Sequence, residues 1–304
     1  DALPIFRLPK KGIGPHDVAI SLVKATFESG VVKNKVLEFA GPGVKNLPID
    51  FRNGIDIMTT ETTCLSSIWV TDEEVKHHYE IHERPQDYRE LKPGDVAYYD
   101  MMIRIDLSSQ EAMIALPFHP SNAVTIHELQ ADPVGILTRI EEDAKKRFGD
   151  KVDVHLLDKI VDGKVRADQG IIAGCSGGTY DNLAEAASII KGKSIGNDYF
   201  TASAYPQSTP VSMAVTREGI TADLMEAGIT MKPAFCGPCF GAGDVPSNNG
   251  LSIRHTTRNF PNREGSKPGQ GQLSLVALMD ARSIAATAAN GGIITAATDV
   301  EYEN

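Results

Sequence analysis

Much of what this chain could be is ruled out by what it lacks. Four cysteines in 304 residues are too few for a disulfide framework, and such usage reads as cytosolic. No apolar run approaches the length of a membrane-spanning helix, and the opening residues do not read as a signal peptide. A basic excess is also missing. Forty acidic against 30 basic side chains give a net charge of -10, which argues against a dedicated nucleic-acid binder. Neither Gly41–Pro42–Gly43 nor the 243–250 stretch has the Gly-rich-loop-plus-Lys pattern of a nucleotide-phosphate site, and both read as turns. The chain begins at Asp1 without a methionine. DALPIFRLPKKGIG reads as the middle of a longer protein, so a fragment is expected.

The remaining composition is that of a globular protein, 41% hydrophobic and 23% charged. A chain of 304 residues is long for one core, which predicts two domains. In the first half, apolar residues at helical spacing predict a helix over 17–30, and VVKNKVLEFA predicts a strand before the Gly-Pro-Gly turn. EEVKHHYEI predicts a polar helix, and 96–107 reads as the clearest strand of this half. The pattern lapses around LPFHPSNAVTIHEL, which places a boundary near residue 128 and domains over 1–128 and 129–304.

The second half alternates strand and helix. Helices are expected over 133–149, 182–192, 210–219 and 221–228, and strands at GIIAGC, DYFTASAY and KPAFC. The predicted class is α/β, as two three-layer α/β/α domains with mostly parallel sheets. Cys175 and Cys236 then fall at the carboxyl ends of predicted strands, the edge where ligands bind in open α/β sheets.

A lone Cys175 in GCSGGTYDN and the pair Cys236 and Cys239 in FCGPCFGAGD admit several readings. A Cys-x-x-Cys serves as a redox dithiol, half a zinc site or a cluster corner. A four-ligand zinc site needs a second pair, which the chain lacks, and Pro238 inside the pair does not suit a thioredoxin-like helix start. Three thiolates holding an iron–sulfur cluster leave one iron open to an outside ligand; the alternative is a set of scattered structural thiols. Cys64 reads as a structural thiol. Arg258 and Arg263 in RHTTRNFPNRE flank one turn, which would suit a carboxylate clamp, but this segment by itself reads as a solvated basic loop. His78 and His82 stand at i, i+4 on a segment polar all round, which reads as a surface helix.

In order and spacing these segments resemble the aconitase family of iron–sulfur hydro-lyases. GCSGGTYDN resembles the family's Gly-Ser-Cys-Thr-Asn segment, CGPCFGAGD its Cys-Gly-Pro-Cys, and TTRNFPNRE its Asn-Arg-Asn-Phe-x-Gly-Arg. LEFAGPGV resembles its Gly-Pro-Gly segment, and IMTTETTCLSSIWVTDE falls where the family has Asn-Met-x-x-Glu, putting Met58 and Glu61 on the last two named residues. The sequence departs from the pattern at Ser176-Gly177 (family Thr-Asn), Ile57 and Thr257 (family Asn) and Asn262 (family Gly). These departures imply a divergent hydratase and put citrate as substrate in doubt.

The resemblance implies a 4Fe–4S cluster held by Cys175, Cys236 and Cys239. It makes Arg258 and Arg263 substrate-carboxylate arginines and Glu61 the group that hydrogen-bonds the departing hydroxyl. The substrate class is a di- or tricarboxylic hydroxy acid. The chain would be the second and third domains of the family. Its partners would be an N-terminal domain and a C-terminal swivelling domain carrying the base, in the same chain or a separate subunit, so the fragment alone is expected to be inactive. The location implied is cytoplasmic, without membrane or nucleic acid. The alternatives are a cluster-free, RNA-binding or regulatory relative and a paralogue with structural thiols only.

Overall fold

The computed structural model describes residues 2–4, 9–196, 199–261 and 270–303. A small parallel sheet carries β1 (Ala2–Pro4), β2 (Val36–Ala40) and β3 (Ser66–Trp69) in that order. Helix α1 (Pro15–Thr26) connects β1 to β2. Helix α2 (Ile49–Met58), continued by a 3-10 turn over Thr59–Thr62, connects β2 to β3. Then come α3 (Glu73–Ile81), which buries none of its residues, and a long irregular stretch.

The second sheet begins with β4 (Met113–Ala115) and β5 (Ala123–Thr125). Helices α4 (Ile126–Ala131) and α5 (Pro133–Phe148) follow, each started by a local signal: a Thr125/Glu128 capping box and an Asp132 cap before Pro133. After the hairpin β6 (Ile160–Val161) and β7 (Lys164–Val165) come β8 (Gln169–Ile172), α6 (Gly174–Gly177) and α7 (Tyr180–Ile190). The chain continues through β9 (Thr201–Ala204), α8 (Thr209–Arg217), α9 (Ile220–Glu226) and β10 (Thr230–Met231). It closes with β11 (Gly250–His255), β12 (Ser274–Met279) and α10 (Ala281–Ala289). The sheet order is β10-β9-β8-β11-β12-β4-β5, parallel as far as β12 and antiparallel for β4 and β5. This is an α/β protein with a large, mostly parallel sheet. β11 and β12 are buried at every position, as central strands covered on both faces must be.

Strand alternation sorts the packing. Ile114 faces the main core with residues of α5, α7 and α10, while Met113 and Ala115 face α1 and Met58 on the opposite side. Helix α1 is apolar on two sides: Ala19, Ile20 and Val23 lie on the large sheet, Val18 and Leu22 on the core of the small one. Residue 128, where composition changes, lies inside α4, and the strands just before it pair onto the large sheet.

Two expected strands do not form. Residues 96–107 carry only isolated bridge positions; Val96, Tyr98 and Met102 are exposed, and Ile103 and Ile105 pack on the small core instead of joining a ladder. Residues 232–236 are irregular: the Lys232 N–H donates to the Ala204 carbonyl of β9 at 2.9 Å, and β10 does not continue beyond Met231. Among the described residues, no helix is long and apolar enough to cross a membrane.

Candidate active site at the switch point of the sheet

Strand order runs from β8 to β9 and β10 in one direction, and through β11 and β12 in the other. The neighbours β8 and β11, paired at Ile172 and His255, are where it reverses. Loops leaving the carboxyl ends of such a pair diverge and open a crevice. Cys175 follows the end of β8, and Arg258 follows the end of β11.

The turn after β8 is built on glycine. Gly174 has φ +72, and a Cβ there would sit 3.2 Å from the Cys239 Sγ and 3.7 Å from the Cys236 Sγ. The Cys-x-x-Cys thiols therefore pack against the residue beside Cys175, although 61 residues separate Cys175 from Cys236 (236 minus 175). All four cysteines are thiols; Cys175 and Cys236 are exposed, Cys239 half-buried. Burial and the neighbouring Cys236 push the Cys175 thiol up, against the opposing pull of its own and Ser176's N–H and of Arg258. At Gly177 a Cβ would meet the His255 carbonyl oxygen at 2.3 Å, which accounts for a glycine where the resembled motif has asparagine. Among the described residues, no three His, Cys, Asp or Glu groups are arranged to hold a single metal ion. His78 on α3 and His82 at its end, with tilted rings 4.3 Å apart, form no such site. Cys64 donates to the Thr59 carbonyl at 3.3 Å and packs on the small core.

The Cys-x-x-Cys loop is fixed by a residue that sequence motifs did not single out. Arg254, on the face of β11 opposite the main core, is fully buried. It donates to the Pro238 carbonyl at 2.6 Å and the Asp244 carbonyl at 2.7 Å, and to Ser252 Oγ and Gln169 Oε1 at 2.9 and 3.1 Å. Tyr205 also holds this loop, through the Asp244 carboxylate at 2.6 Å.

Across the crevice, Arg258 Nε donates to Glu61 Oε1 at 2.6 Å. Glu61 is 6% exposed on the turn after α2, whereas the Arg258 side chain is 40% exposed, so the guanidinium still faces solvent. Asn259 anchors the turn by donating to the carbonyls of Ala115 and Leu116 at 3.2 and 2.9 Å. Met58 is core rather than site, packed among Ala19, Ile20 and Leu278. Arg263 and Asn262 lie outside the described residues. The structure thus brings Cys175, Cys236, Cys239, Arg258 and Glu61 together.

Beneath them is a buried polar network. Asp280, wholly buried, caps two helices: it accepts from the Arg282 N–H of α10 at 3.0 Å and from the His16 N–H of α1 at 3.1 Å. Burial pushes its carboxyl up, but Arg282 beside it dominates the opposing effects and holds it below the usual range. The Arg282 guanidinium donates to Asp280 at 3.1 Å and to Asn182 Oδ1 at 2.9 Å, and Asn182 Nδ2 donates to the Ser176 carbonyl at 2.8 Å. The His16 and His255 rings pack against each other at a tilt, with centroids 4.2 Å apart, and burial lowers both imidazoles, His255 to about 4. The visible signal was the apolar run LSLVALM followed by Asp280 and a helical pattern; nothing local announced the pairing.

A profile of the aconitase family (aconitate hydratase) matches residues 8–286. The chain belongs to the aconitase family. Among the relatives of this member, the mitochondrial homoaconitase of Debaryomyces hansenii is 27% identical over 288 residues, covering 89% of this chain and 37% of that protein. The 3-isopropylmalate dehydratase large subunit of Elusimicrobium minutum is 25% identical, covering 86% of this chain and 54% of its own. Large subunit 2 of the same enzyme from Rubrobacter xylanophilus is 29% identical, covering 94% and 58%. The chain therefore spans about half the length of the curated relatives it matches. Holo-form aconitase X of Thermococcus kodakaraensis superposes with a TM-score of 0.40 at 10% identity, over 85% of this chain and 48% of that one.

Proposed function

We propose that this member of the aconitase family forms part of an iron–sulfur hydro-lyase acting on a di- or tricarboxylic hydroxy acid. The observation that carries the reading is the meeting of three thiols with an arginine–glutamate pair at the switch point. Cys175, Cys236 and Cys239 would hold a 4Fe–4S cluster by three corners. The donor set fits: thiolates are its ligands, and a residue without Cβ stands where the two Cys-x-x-Cys sulfurs approach. A cluster offers separate irons to separate thiolates, so a spacing unsuited to one ion does not count against it. When bound, the group supplies Lewis acidity at its iron without a cysteine, which polarises a carbon–oxygen bond.

The chain's own side chains orient the substrate. Arg258, steadied by Glu61, presents its remaining guanidinium donors to a carboxylate, and Arg263 takes a second. Glu61 is also the group that hydrogen-bonds the departing hydroxyl. Fixing both ends of a small acid supplies the orientational part of the rate enhancement. The carbon-bound proton is removed by a residue on a further domain or subunit, so this chain alone gives no turnover. A cytoplasmic location belongs to the same reading, because exposed thiols persist in a reducing compartment.

Anaerobic reconstitution tests the cofactor: the chain should take up about four irons with visible absorbance, and Cys175→Ser, Cys236→Ser and Cys239→Ser should each lose them. Wild-type protein that takes up no iron, or serine variants that match it, would end this reading. Activity is then assayed on the full-length protein with a panel of hydroxy acids that includes 3-isopropylmalate.

A further inference from the structure

We infer that two buried arginines, Arg254 and Arg282, are positioning residues that separately set the two cysteine loops from beneath. The inference rests on reading Cys175, Cys236 and Cys239 as one ligand set. Neither arginine donates to a thiol in these bonds; Arg254 fixes backbone carbonyls directly and Arg282 fixes one through Asn182, and so each decides where a loop runs.

Arg254 holds the Cys-x-x-Cys loop directly. Its fork spans the carbonyl of Pro238, between the two cysteines, and that of Asp244, at the far end of the loop. The guanidinium plane is itself tied to Ser252 on β11 and Gln169 on β8, so the loop takes its place from two central strands. Lysine has the charge but not the planar fork, and cannot span both carbonyls in this way.

Arg282 holds the Cys175 loop through one intermediate. Its guanidinium has only donors and the Ser176 carbonyl only accepts, so the Asn182 amide between them has a single satisfied orientation. Asp280 fixes Arg282 on one side. Glu185, 3.7 Å away and hydrogen-bonded by Tyr302, borders it on the other.

Two independent holds predict two independent effects. On the full chain before iron loading, alkylation by iodoacetamide at one pH is followed for each cysteine by peptide mass spectrometry. R254K should change the Cys236 and Cys239 rates about threefold or more, the size expected for losing a hydrogen bond, and change Cys175, which meets that loop only through its neighbours, by clearly less. R282K and N182D should do the reverse. N182D keeps the side-chain volume and the Arg282 partner, but turns an oxygen toward the Ser176 carbonyl. The R282K/N182D double variant should match the single variants, because both interrupt one path. Should R254K not fold, Ser252→Ala removes one of its anchors and reports on the same loop. Equal changes at all three cysteines, or unchanged rates in folded variants, would overturn the assignment. Selective changes in a protein that takes up no iron would sink the ligand reading and leave the positioning role standing.

Discussion

The Arg258 Nε and the Glu61 Oε1 lie 2.6 Å apart although 197 residues separate them, joining the loop after β11 to the turn after α2. The contact places an acid from the small-sheet half beside an arginine from the large sheet. It also leaves most of the guanidinium fork turned toward the crevice rather than spent on packing.

If that pair orients substrate, its loss should appear in catalysis and not in folding. In the reconstituted full-length protein, R258K is expected to lower kcat/KM by about ten- to a hundredfold, the range for losing a charge-assisted hydrogen bond. E61Q should depress kcat more than it raises KM. Steady-state kinetics beside a denaturation curve separate these outcomes; a fall in stability that matches the loss of rate would assign the pair to structure.

Gly177 makes a second prediction. Its missing Cβ is the space taken by the His255 carbonyl at 2.3 Å, so Gly177→Ala must displace either the cysteine turn or the end of β11. Iron uptake should fall to a small fraction of wild type while the far-ultraviolet dichroism stays the same. Full uptake by a folded G177A would refute this account of the turn.

Asp181 gives a pH dependence. Burial first, then the nearby Asp50, raise its carboxyl from 3.8 to about 6, while Arg282 opposes them. The folded state therefore binds more protons than the unfolded state between those values, so this group's contribution to stability declines as pH rises through the window. The full shift corresponds to at most about 3 kcal/mol. His255, lowered to about 4 by burial, acts in the opposite sense: its contribution is lost as pH falls below 6.5. The two are separated by comparing wild type with D181N in denaturant titrations at pH 4, 5, 6 and 7, in steps chosen to span the window. The variant should gain on wild type as pH rises; parallel curves would refute the assignment.

The shared cap makes the last prediction. Asp280 closes the first turns of α1 and α10 and neutralises Arg282 in the interior. D280N keeps the shape and leaves a buried cation short of its partner, a change that costs about 3–5 kcal/mol. The midpoint of urea unfolding reads this directly, and a loss below about 1 kcal/mol would mean that Glu185 suffices as counter-ion.

What the sequence by itself determined is local chemistry. Helical patterning marked α5, α7 and α8, the apolar run ending on Cys175 marked β8, and DYFTASAY marked β9. Cys175, Cys236, Cys239 and the Arg258 turn were legible as motifs because each carries its signal within a few residues. Periodicity failed where a segment had no ladder to join, as at 96–107, since a strand exists only by virtue of its neighbours. Tertiary structure alone decided that Gly174 stands against two distant thiols and that Glu61 reaches Arg258. It also decided that Arg254 and Arg282 are buried beneath the cysteine loops. The physical reason is that a lone arginine or glycine has the same local signal on a surface as in an interior. Only the strand order, which reverses between β8 and β11, brings these loops to one crevice and gives each residue its neighbours.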